Sequence, residues 1–504
     1  MRTLRNVIYP ALMACAFAPA LSPSLQALSP APDGGYPGGN TAEGQNALFS
    51  LTTGGFNTAV GFFSLRNDAT NSFNTALGAG ALFTNTADEN TATGAGALLS
   101  NTTGLFNTAS GAFALLSNTT GSDNTAFGSA ALESNTTGVE NTAIGSAALI
   151  TNTGGYNTAV GFTALFLNST GSPNSAFGWG ALKANTIGNY NTALGYAALY
   201  SNTTGTLNTA AGDGALFSNT EGSANTADGT DALIGNTTGS DNTGMGFEAL
   251  LSNTTGSNNT AIGDQALQNN IAGFFNTAIG SVALQNATGD DNTAIGSGTL
   301  TNSTSSFNTA LGAGAGYNVT TADNVICIGS MGANVSNTCF INNIRNVTTQ
   351  NNDGIPVYID SAGQLGTASS SRRYKTDIKP LDKASESILA LNPVSFRYKV
   401  HKDATPQFGL IAEEVAEVNP DLVVHDKNGE LLTVRYDAVN AMLLNEFLKE
   451  HKKVQEQQAK ITKLESTVAS LVATVREQAA QIQKVIAQAE LQKPAAKKIA
   501  ANRR

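Results

Sequence analysis

A short repeat dominates this chain. The motif Asn-Thr-Ala-x-Gly opens a unit that begins at Asn40 and recurs every 16 or 17 residues until Asn308, seventeen times in all. The full unit reads Asn-Thr-Ala-x-Gly-x-x-Ala-Leu-x-x-Asn-Thr-Thr-Gly-x-x. Self-similarity at a fixed short period is typical of a solenoid, in which each coil buries its apolar face against the next coil. Residues 40–324 are therefore predicted to form a rod or platform.

The composition of the unit favours strands over helices. A 17-residue unit is too short for a helix pair with two turns, and its Asn, Thr and Gly content disfavours helix while Thr favours strand. We expect two strands of about five residues and two tight turns per coil, with the glycine of Asn-Thr-Thr-Gly supplying the positive φ of a turn. A three-sided coil of hexapeptides would need about 18 residues, so a two-sided β-roll is preferred.

Two apolar rows are expected inside this β-roll. One contains the small residues Ala42, Ala59 and their equivalents, and the other contains the leucines from Leu48 to Leu300. The Asn and Thr positions should stack as ladders. Seventeen coils at about 4.8 Å give a body about 80 Å long. Because a single thin roll buries little apolar area, several chains are expected to share a core, with a homotrimer as the preferred assembly.

Some units resemble the head repeats of trimeric autotransporter adhesins. These units read Asn-Thr-Ala-Ile-Gly, at 141–145, 259–263 and 276–280. The resemblance implies a left-handed parallel β-roll built from three chains. The head repeats of that family are usually shorter, so the resemblance concerns architecture and gives no residue alignment.

The charge distribution argues against a nucleic-acid partner. The net charge is -10, and residues 370–504 hold 22 of the 27 Lys and Arg, whereas the repeats contain only Arg66 and Lys183. Neutralising phosphates requires clustered cations, so no nucleic-acid surface is predicted for the repeats. The acidic residues keep no fixed repeat position, so no calcium-binding roll is expected, nor any other metal or cofactor.

The N-terminus has the pattern of a secretory signal. Arg2 and Arg5 precede an apolar stretch and small residues, which predicts a signal peptide over 1–27 and a linker over 28–39. A lipoprotein anchor at Cys15 is the less favoured alternative. No other segment has eighteen consecutive apolar residues, so no integral membrane segment is expected. After signal removal Cys327 and Cys339 remain, and the sequence leaves open whether they pair.

The repeat register fails after Asn324. Short strands and a hairpin are predicted for residues 325–369, where they would cap the roll. From Ser369 the chain becomes charged, and its signals predict a small α+β domain over 370–450. This domain should contain a short helix near 384–391, a strand at 393–399, a helix that ends before Pro420, and a hairpin across Asn428-Gly429.

A long final helix is predicted from Tyr436, and its second half has heptad spacing. Residues 451–490 are predicted to form a coiled coil, followed by a basic tail at 491–504. Val or Ile at one core position with Leu at the other favours two strands, whereas the roll favours three. The core positions are Ile461, Leu464, Val468, Leu471, Val475, Gln478, Ile482 and Val485.

Residues 370–450 resemble the self-cleaving intramolecular chaperone domain of phage endosialidases and other tailspikes. The segments that carry the resemblance are Ser370–Lys375, Leu391–Tyr398, Gly409–Val415, Asn419–Val423 and Tyr436. The resemblance implies a domain that trimerises, aligns the fibre chains, and is then cut off at the serine of a Ser-Asp-x-Arg-x-Lys motif.

Ser370 matches the nucleophile of that motif, Arg373 its arginine and Lys375 its lysine. Ser371 stands where the family has aspartate, so the role of that position is open. The chemistry agrees, because a serine hydroxyl needs a base, and a lysine amine acts as one only where desolvation or neighbouring cations lower its pKa. Arg372 and Arg373 are such cations, and burial at a three-chain interface would add desolvation.

The leading interpretation is a secreted or surface trimeric fibre, similar to an adhesin, whose C-terminal domain assembles it and then releases itself. It would be a self-cleaving serine endopeptidase acting only in cis. A second interpretation treats the repeats as a platform for ice or glycan, with Thr ladders as the contact surface. A third is a phage tail fibre, against which the predicted secretory signal argues.

Overall fold

The structure is a computed structural model that describes residues 36–345, 347, 349–351, 354–360, 362–399, 405–426 and 428–492. The predicted signal peptide, Cys15 and residues 493–504 of the basic tail lie outside these residues. The chain divides into two compact units, Met1–Val347 and Thr348–Arg504. The first is a parallel β-solenoid, and the second combines small β and α elements with a long C-terminal helix. These features confirm the predicted fold class.

The solenoid contains one parallel sheet of nineteen strands in chain order, each from one coil. The strands are β1 (Thr41–Glu43), β2 (Thr58–Val60), β3 (Thr75–Leu77), β4 (Thr91–Thr93), β5 (Thr108–Ser110), β6 (Thr125–Phe127), β7 (Thr142–Ile144), β8 (Thr158–Val160), β9 (Ser175–Phe177), β10 (Thr192–Leu194), β11 (Thr209–Ala211), β12 (Thr226–Asp228), β13 (Thr243–Met245), β14 (Thr260–Ile262), β15 (Thr277–Ile279), β16 (Thr293–Ile295), β17 (Thr309–Leu311), β18 (Val325–Ile328) and β19 (Thr338–Ile341).

Equivalent residues pair along the whole sheet. Ala59 pairs with Ala76, and Ala76 pairs with Ala92 although that step is only 16 residues. The shorter coils omit a residue from the turn after the second asparagine, so the strands stay in register. The predicted capping strands are β18 and β19, which extend the same sheet.

The second side of each coil differs from the prediction. Instead of a second strand, every other residue of the Gly-x-x-Ala-Leu segment has a positive φ. The leucine of this segment has a φ near +50°, as at Leu165 (φ 51°). Leu165 N–H donates to the carbonyl of Ala181 in the next coil at 3.0 Å, so this side is also hydrogen-bonded from coil to coil. The left-handed backbone is unfavourable for leucine, but the turn directs the whole side chain into the core, where it is fully buried.

The two glycine rows have different roles. The glycine of Asn-Thr-Ala-x-Gly has positive φ, for example 140° at Gly78. The prediction that the Asn-Thr-Thr-Gly glycine supplies positive φ is wrong. At Gly171, which belongs to that row, the constraint is steric: a Cβ would lie 2.5 Å from the carbonyl oxygen of Gly188 in the next coil. Close backbone approach, and not conformation, requires glycine there.

Two ladders of buried asparagine hold the coils together. In the first, the N–H of each opening asparagine donates to the preceding opening asparagine's Oδ1, as from Asn57 to Asn40 at 2.8 Å. In the second, Asn118 Nδ2 donates to Asn101 Oδ1 at 2.8 Å. The carbonyl of Gly121 accepts from Asn118 at 2.9 Å, which closes the turn. The predicted Asn ladders are therefore present, and every bond they make satisfies a buried polar group.

The two cysteines of the solenoid are both free thiols. Cys327 takes the position of the inward alanine in β18 and is buried, and burial raises the pKa of its thiol. Cys339 pairs with Ile326 across the sheet and is exposed. Strand alternation therefore directs the two side chains to different environments.

The C-terminal unit begins with a hairpin of β20 (Tyr358–Ile359) and β21 (Leu365–Gly366), as predicted. Two 3₁₀ helices follow, Arg372–Tyr374 and Asp382–Ala390. The later elements are β22 (Val394–Phe396) paired with β23 (Gln407–Gly409), α1 (Ala412–Val418), the 3₁₀ turn Pro420–Leu422, β24 (Val423–His425) paired with β25 (Leu431–Val434), and α2 (Tyr436–Leu491).

One coil carries a buried acid within the second asparagine ladder. Asp68 occupies the position that Asn85 and Asn101 hold in the next two coils, and it is fully buried. It accepts from the N–H of Asn71 at 3.1 Å and from Asn74 Nδ2 at 3.1 Å. Burial raises the pKa of Asp68 to about 6, because the hydrogen bonds only partly offset desolvation.

The raised pKa of Asp68 predicts that the stability of the solenoid depends on pH. An acid whose pKa is higher in the folded state favours folding when protonated, so stability should fall as pH rises from about 4 to about 6. Asp68→Asn should therefore stabilise the solenoid at pH 7 by about 1–2 kcal/mol, and the gain should vanish near pH 4. Denaturant unfolding at several pH values would measure this. The exposed control Asp241→Asn should show no such trend, and an equal gain in both variants would contradict the assignment.

Candidate functional site

A small hydrophobic core organises the C-terminal unit. It contains Val415 from α1, Val423 and Val434 from the hairpin β24–β25, and Met442 from the start of α2. Asn419 lies in extended backbone between α1 and the next 3₁₀ turn, and its side chain accepts from the Asp421 N–H at 3.1 Å. A proline at the first position of the turn and an asparagine cap before it explain why the chain stops its helix there.

Tyr436 connects two of the segments singled out in the sequence. Its hydroxyl accepts from the N–H of Leu410 at 3.0 Å. A Cβ at Gly409 would lie 2.7 Å from the same hydroxyl, so the tyrosine requires glycine at that position. The first residue of α2 is thereby joined to the end of β23, and this contact fixes where the long helix begins.

A polar network attaches the 3₁₀ helix Asp382–Ala390 to α2. Glu446 is buried and accepts a short hydrogen bond from the hydroxyl of Ser385. Lys449 Nζ donates to Glu446 at 2.7 Å and to the carbonyl of Asp382 at 2.6 Å, and Asn445 Nδ2 donates to Ser385 Oγ at 2.7 Å. The hydrogen bonds from Lys449 and Ser385 lower the pKa of the Glu446 carboxyl.

The sequence analysis missed this network. The sequence signal that could have indicated it is a polar cluster near the start of the final helix, opposite an apolar side. This cluster contains Asn445, Glu446 and Lys449. Its partner Ser385 lies about sixty positions earlier in the chain, so no local pattern could have connected them.

The predicted cleavage residues lie on a short exposed loop. Ser370 precedes the 3₁₀ turn Arg372–Tyr374, and Lys375 follows it. The N–H of Lys375 donates to the carbonyl of Arg372 at 3.1 Å, and the Arg373 guanidinium lies 4.7 Å from the centre of the Tyr374 ring. The turn brings Ser370, Arg373 and Lys375 into one loop, and among the described residues no hydrogen bond joins Ser370 to Lys375.

The family comparison matches this part of the chain. Residues 370–424 match the family model described as chaperone of endosialidase. The chain carries a chaperone-of-endosialidase domain. The match begins at Ser370, and it ends in β24. This confirms the resemblance predicted from the sequence.

The chaperone-of-endosialidase domain follows a β-solenoid in the same chain. That order indicates a tailspike-like or fibre-like trimeric protein of extracellular or phage-associated type. Comparison with curated proteins and with solved structures gave no match.

The solenoid surface offers few candidate groups for catalysis or metal binding. The two cations of the repeats lie on aromatic rings: Arg66 is 4.9 Å from the Phe63 ring centre, and Lys183 Nζ is 4.8 Å from the Tyr200 ring centre. Within the described parts of the chain, no cluster of three or more His, Cys, Asp or Glu could hold a metal ion. No helix in these same parts has the length and apolar character needed to cross a membrane.

The Glu446 network predicts an acid-sensitive helix attachment. A carboxyl whose pKa is lowered by folding contributes stability above its unfolded pKa of about 4.3, and that contribution is lost as pH falls through the folded pKa. Glu446→Gln should therefore lower the melting temperature of the helical signal at pH 7. The difference from wild type should shrink towards pH 3, where both side chains are neutral.

Circular dichroism at 222 nm would follow this melting, because α2 dominates the helical signal of the chain. Glu456→Gln, on the exposed surface of the same helix, is the matched control and should melt like wild type at every pH. A Glu446→Gln difference that is constant with pH would show that the carboxylate charge is not what stabilises the contact.

Proposed function

We propose that the protein is a secreted or surface trimeric fibre whose C-terminal domain trimerises and folds it, then releases itself by cleavage before Ser370. The observation that carries the proposal is the order of the chain: a solenoid is followed, after the hairpin β20–β21, by a chaperone-of-endosialidase domain whose match begins at Ser370. The mature part would be the rod, and the domain that begins at the cut would be its removable assembly device.

The proposed cleavage is an acyl transfer followed by hydrolysis. Ser370 Oγ attacks the carbonyl carbon of Ser369 while Lys375 Nζ accepts the hydroxyl proton. The tetrahedral intermediate expels the amide nitrogen of Ser370, which takes up a proton, and leaves an ester between Ser369 and Ser370 Oγ. Water then hydrolyses the ester, so the downstream fragment begins at Ser370. Arg373 would supply positive charge beside the developing oxyanion.

The geometry of the loop supports cleavage that waits for assembly. Ser370, Arg373 and Lys375 are all exposed in the single chain. A lysine that serves as a base needs desolvation or cationic neighbours. The cationic neighbours, Arg372 and Arg373, are adjacent in the chain, and the desolvation would come from the other two chains. Cleavage before assembly is thereby disfavoured.

The exposed stripe of α2 supports trimerisation from the C-terminus. The heptad residues of the predicted coiled coil are all exposed in one chain, and Val468 and Leu471 are each more than half exposed. The stripe continues towards the helix start through Val454, Phe447 and Leu443, which keep the same heptad spacing and are also exposed. Apolar residues at this spacing pack against the same stripe of other chains.

A second candidate function has one observation in its favour. A threonine opens nearly every strand in regular register on the outer side of the sheet, and it is exposed at Thr192 and Thr209 and half-buried in strands such as β3 and β7. A flat, regular threonine row suits an extended ligand such as ice or a glycan. This candidate needs that side of the sheet to stay open in the assembled protein. A phage-derived tail fibre remains a third candidate, and it would lack a cleaved secretory signal.

The cleavage proposal predicts separate effects for neighbouring residues. Ser370→Ala removes the attacking oxygen, so the 504-residue chain should persist uncut while still forming trimers. Lys375→Ala should also block cleavage, because the hydroxyl keeps its proton. Ser371→Ala is the matched control and should cleave like wild type. Mass spectrometry and N-terminal sequencing of purified protein would identify a wild-type fragment that begins at Ser370.

Cleavage that continues in Ser370→Ala, or that is lost only in Ser371→Ala, would place the nucleophile elsewhere. Folded wild-type trimers that stay intact would reduce the domain to an assembly module without chemistry. In both cases the trimerisation proposal would stand.

The α2 stripe predicts that two substitutions prevent assembly. Val468→Asp together with Leu471→Asp puts unpaired charges into the seam between helices, which costs several kcal/mol per chain. The variant should form no soluble trimer by multi-angle light scattering. Ser470→Asp together with Ala473→Asp adds the same charge on the outer side of the helix and should leave the trimer unchanged. Equal trimer formation in both double variants would rule out the coiled coil as the assembly device.

A further inference from the structure

The outer side of the solenoid sheet carries a second column of residues beside the threonine column. In each three-residue strand the middle residue, which is alanine except for Gly244 in β13, points inward, and the first and third residues point outward. The third position is mostly large and apolar, and its side chains are exposed. We call this outer side the strand face. Its exposed large apolar residues are Leu77, Phe127, Ile144, Phe177, Leu194, Met245, Ile262, Ile279, Ile295, Leu311 and Ile328.

The strand face is a long apolar surface. Strands about 4.8 Å apart make it about 80 Å long, and the two outward columns lie about 7 Å apart. An apolar surface of this size is at the upper end of what soluble monomers expose, and patches of that size commonly mark interaction sites. The exposed fractions of its side chains are substantial, for example 60% for Phe127 and 55% for Leu194.

The strand face is also nearly free of charge. Its two columns contain only two acids over β1–β18, Glu43 and Asp228, and no base. The turn position just before each opening asparagine also holds exposed aromatic residues such as Phe56 and Phe307, but these are interrupted by five acids. The acids are Glu89, Asp123, Glu140, Asp241 and Asp291. Burying that turn edge would desolvate charges, whereas burying the strand face desolvates mainly methyl groups, aromatic rings and threonine hydroxyls.

We propose that the strand face is the interface through which three copies of this chain pack along the fibre. The inference rests on the proposed trimeric function and adds to it which side of the solenoid faces the other chains. A partner for this surface must repeat at the same rise over the same length. A parallel second copy meets that condition at every coil, and the three-fold symmetry of the proposed trimer makes the three copies run parallel.

In such a trimer the same residue from each chain converges near the three-fold axis. The Ile262 side chains would then lie close together, and so would those of Ile295. Asp228 would bring three carboxylates together, so it should be the weakest point of the interface. The threonine column would be covered, which would exclude the ligand-platform candidate.

Cross-linking of the full-length chain tests this proposal. Ile262→Cys and, separately, Ile295→Cys are made in a background with Cys15→Ser and Cys339→Ser, and folded protein is treated with a short bis-maleimide. Both should give covalent dimers on denaturing gels. Thr255→Cys, on an exposed turn, is the matched control and should give none. Val468→Cys reports the α2 contact independently.

The outcomes separate this inference from the function on which it rests. Dimers at positions 262, 295 and 468, with none at 255, support the proposed interface. Dimers at 468 alone, with rapid labelling of 262 and 295 by a bulky maleimide, would overturn it and leave a trimer whose strand face is open to an external ligand. Monomeric protein without a cross-link at any position would overturn both the interface and the trimer.

Discussion

The buried asparagine side chains are the interaction on which the solenoid depends. A coil of 16 or 17 residues encloses little more than two alanines and one leucine, so hydrophobic burial alone gives each coil little stability. Its backbone turns nevertheless bury many N–H and carbonyl groups. The two asparagine ladders satisfy these groups between successive coils, and Asn107 and Asn118 both donate to the carbonyl of Gly121 at 2.9 Å. Because an unsatisfied buried polar group costs more than a hydrogen bond gains, the repeat keeps asparagine at two positions with few exceptions.

The same need to satisfy buried polar groups applies where the repeat departs from asparagine. Asp68 replaces asparagine near the start of the second ladder. Its ionised carboxylate can accept hydrogen bonds but cannot donate one, so the ladder contains a buried charge at this position. At the other end Val325 takes the position of the opening asparagine, and its N–H donates the last hydrogen bond of the first ladder, to Asn308 Oδ1 at 2.9 Å. Asp68 and Val325 both lie towards the ends of the stack of coils.

The C-terminal unit relies on a different arrangement. Its core is small, and specific polar contacts define its geometry: Tyr436 holds the end of β23, and Glu446 holds the 3₁₀ helix Asp382–Ala390 against α2. Both contacts join α2 to segments far away in the chain. A long helix with an exposed heptad stripe is thereby attached to the loop that carries Ser370 through one small folded body. This connection would suit the proposed order of events, in which trimerisation through the helices precedes cleavage at the loop.

The amino-acid sequence by itself determined the period, the inward alanine and leucine rows, the asparagine ladders, the hairpins and the long helix, because each depends on residues that are close in sequence or recur at a fixed spacing. The match at Ser370 was also available from an ordered set of short segments. Only the tertiary structure decided that leucine adopts a left-handed backbone in place of a second strand, that the Asn-Thr-Thr-Gly glycine is required by the carbonyl of the next coil, and that Ser385 meets Glu446. These features arise from contacts between coils or between distant segments, and a local pattern carries no information about the neighbour that creates them.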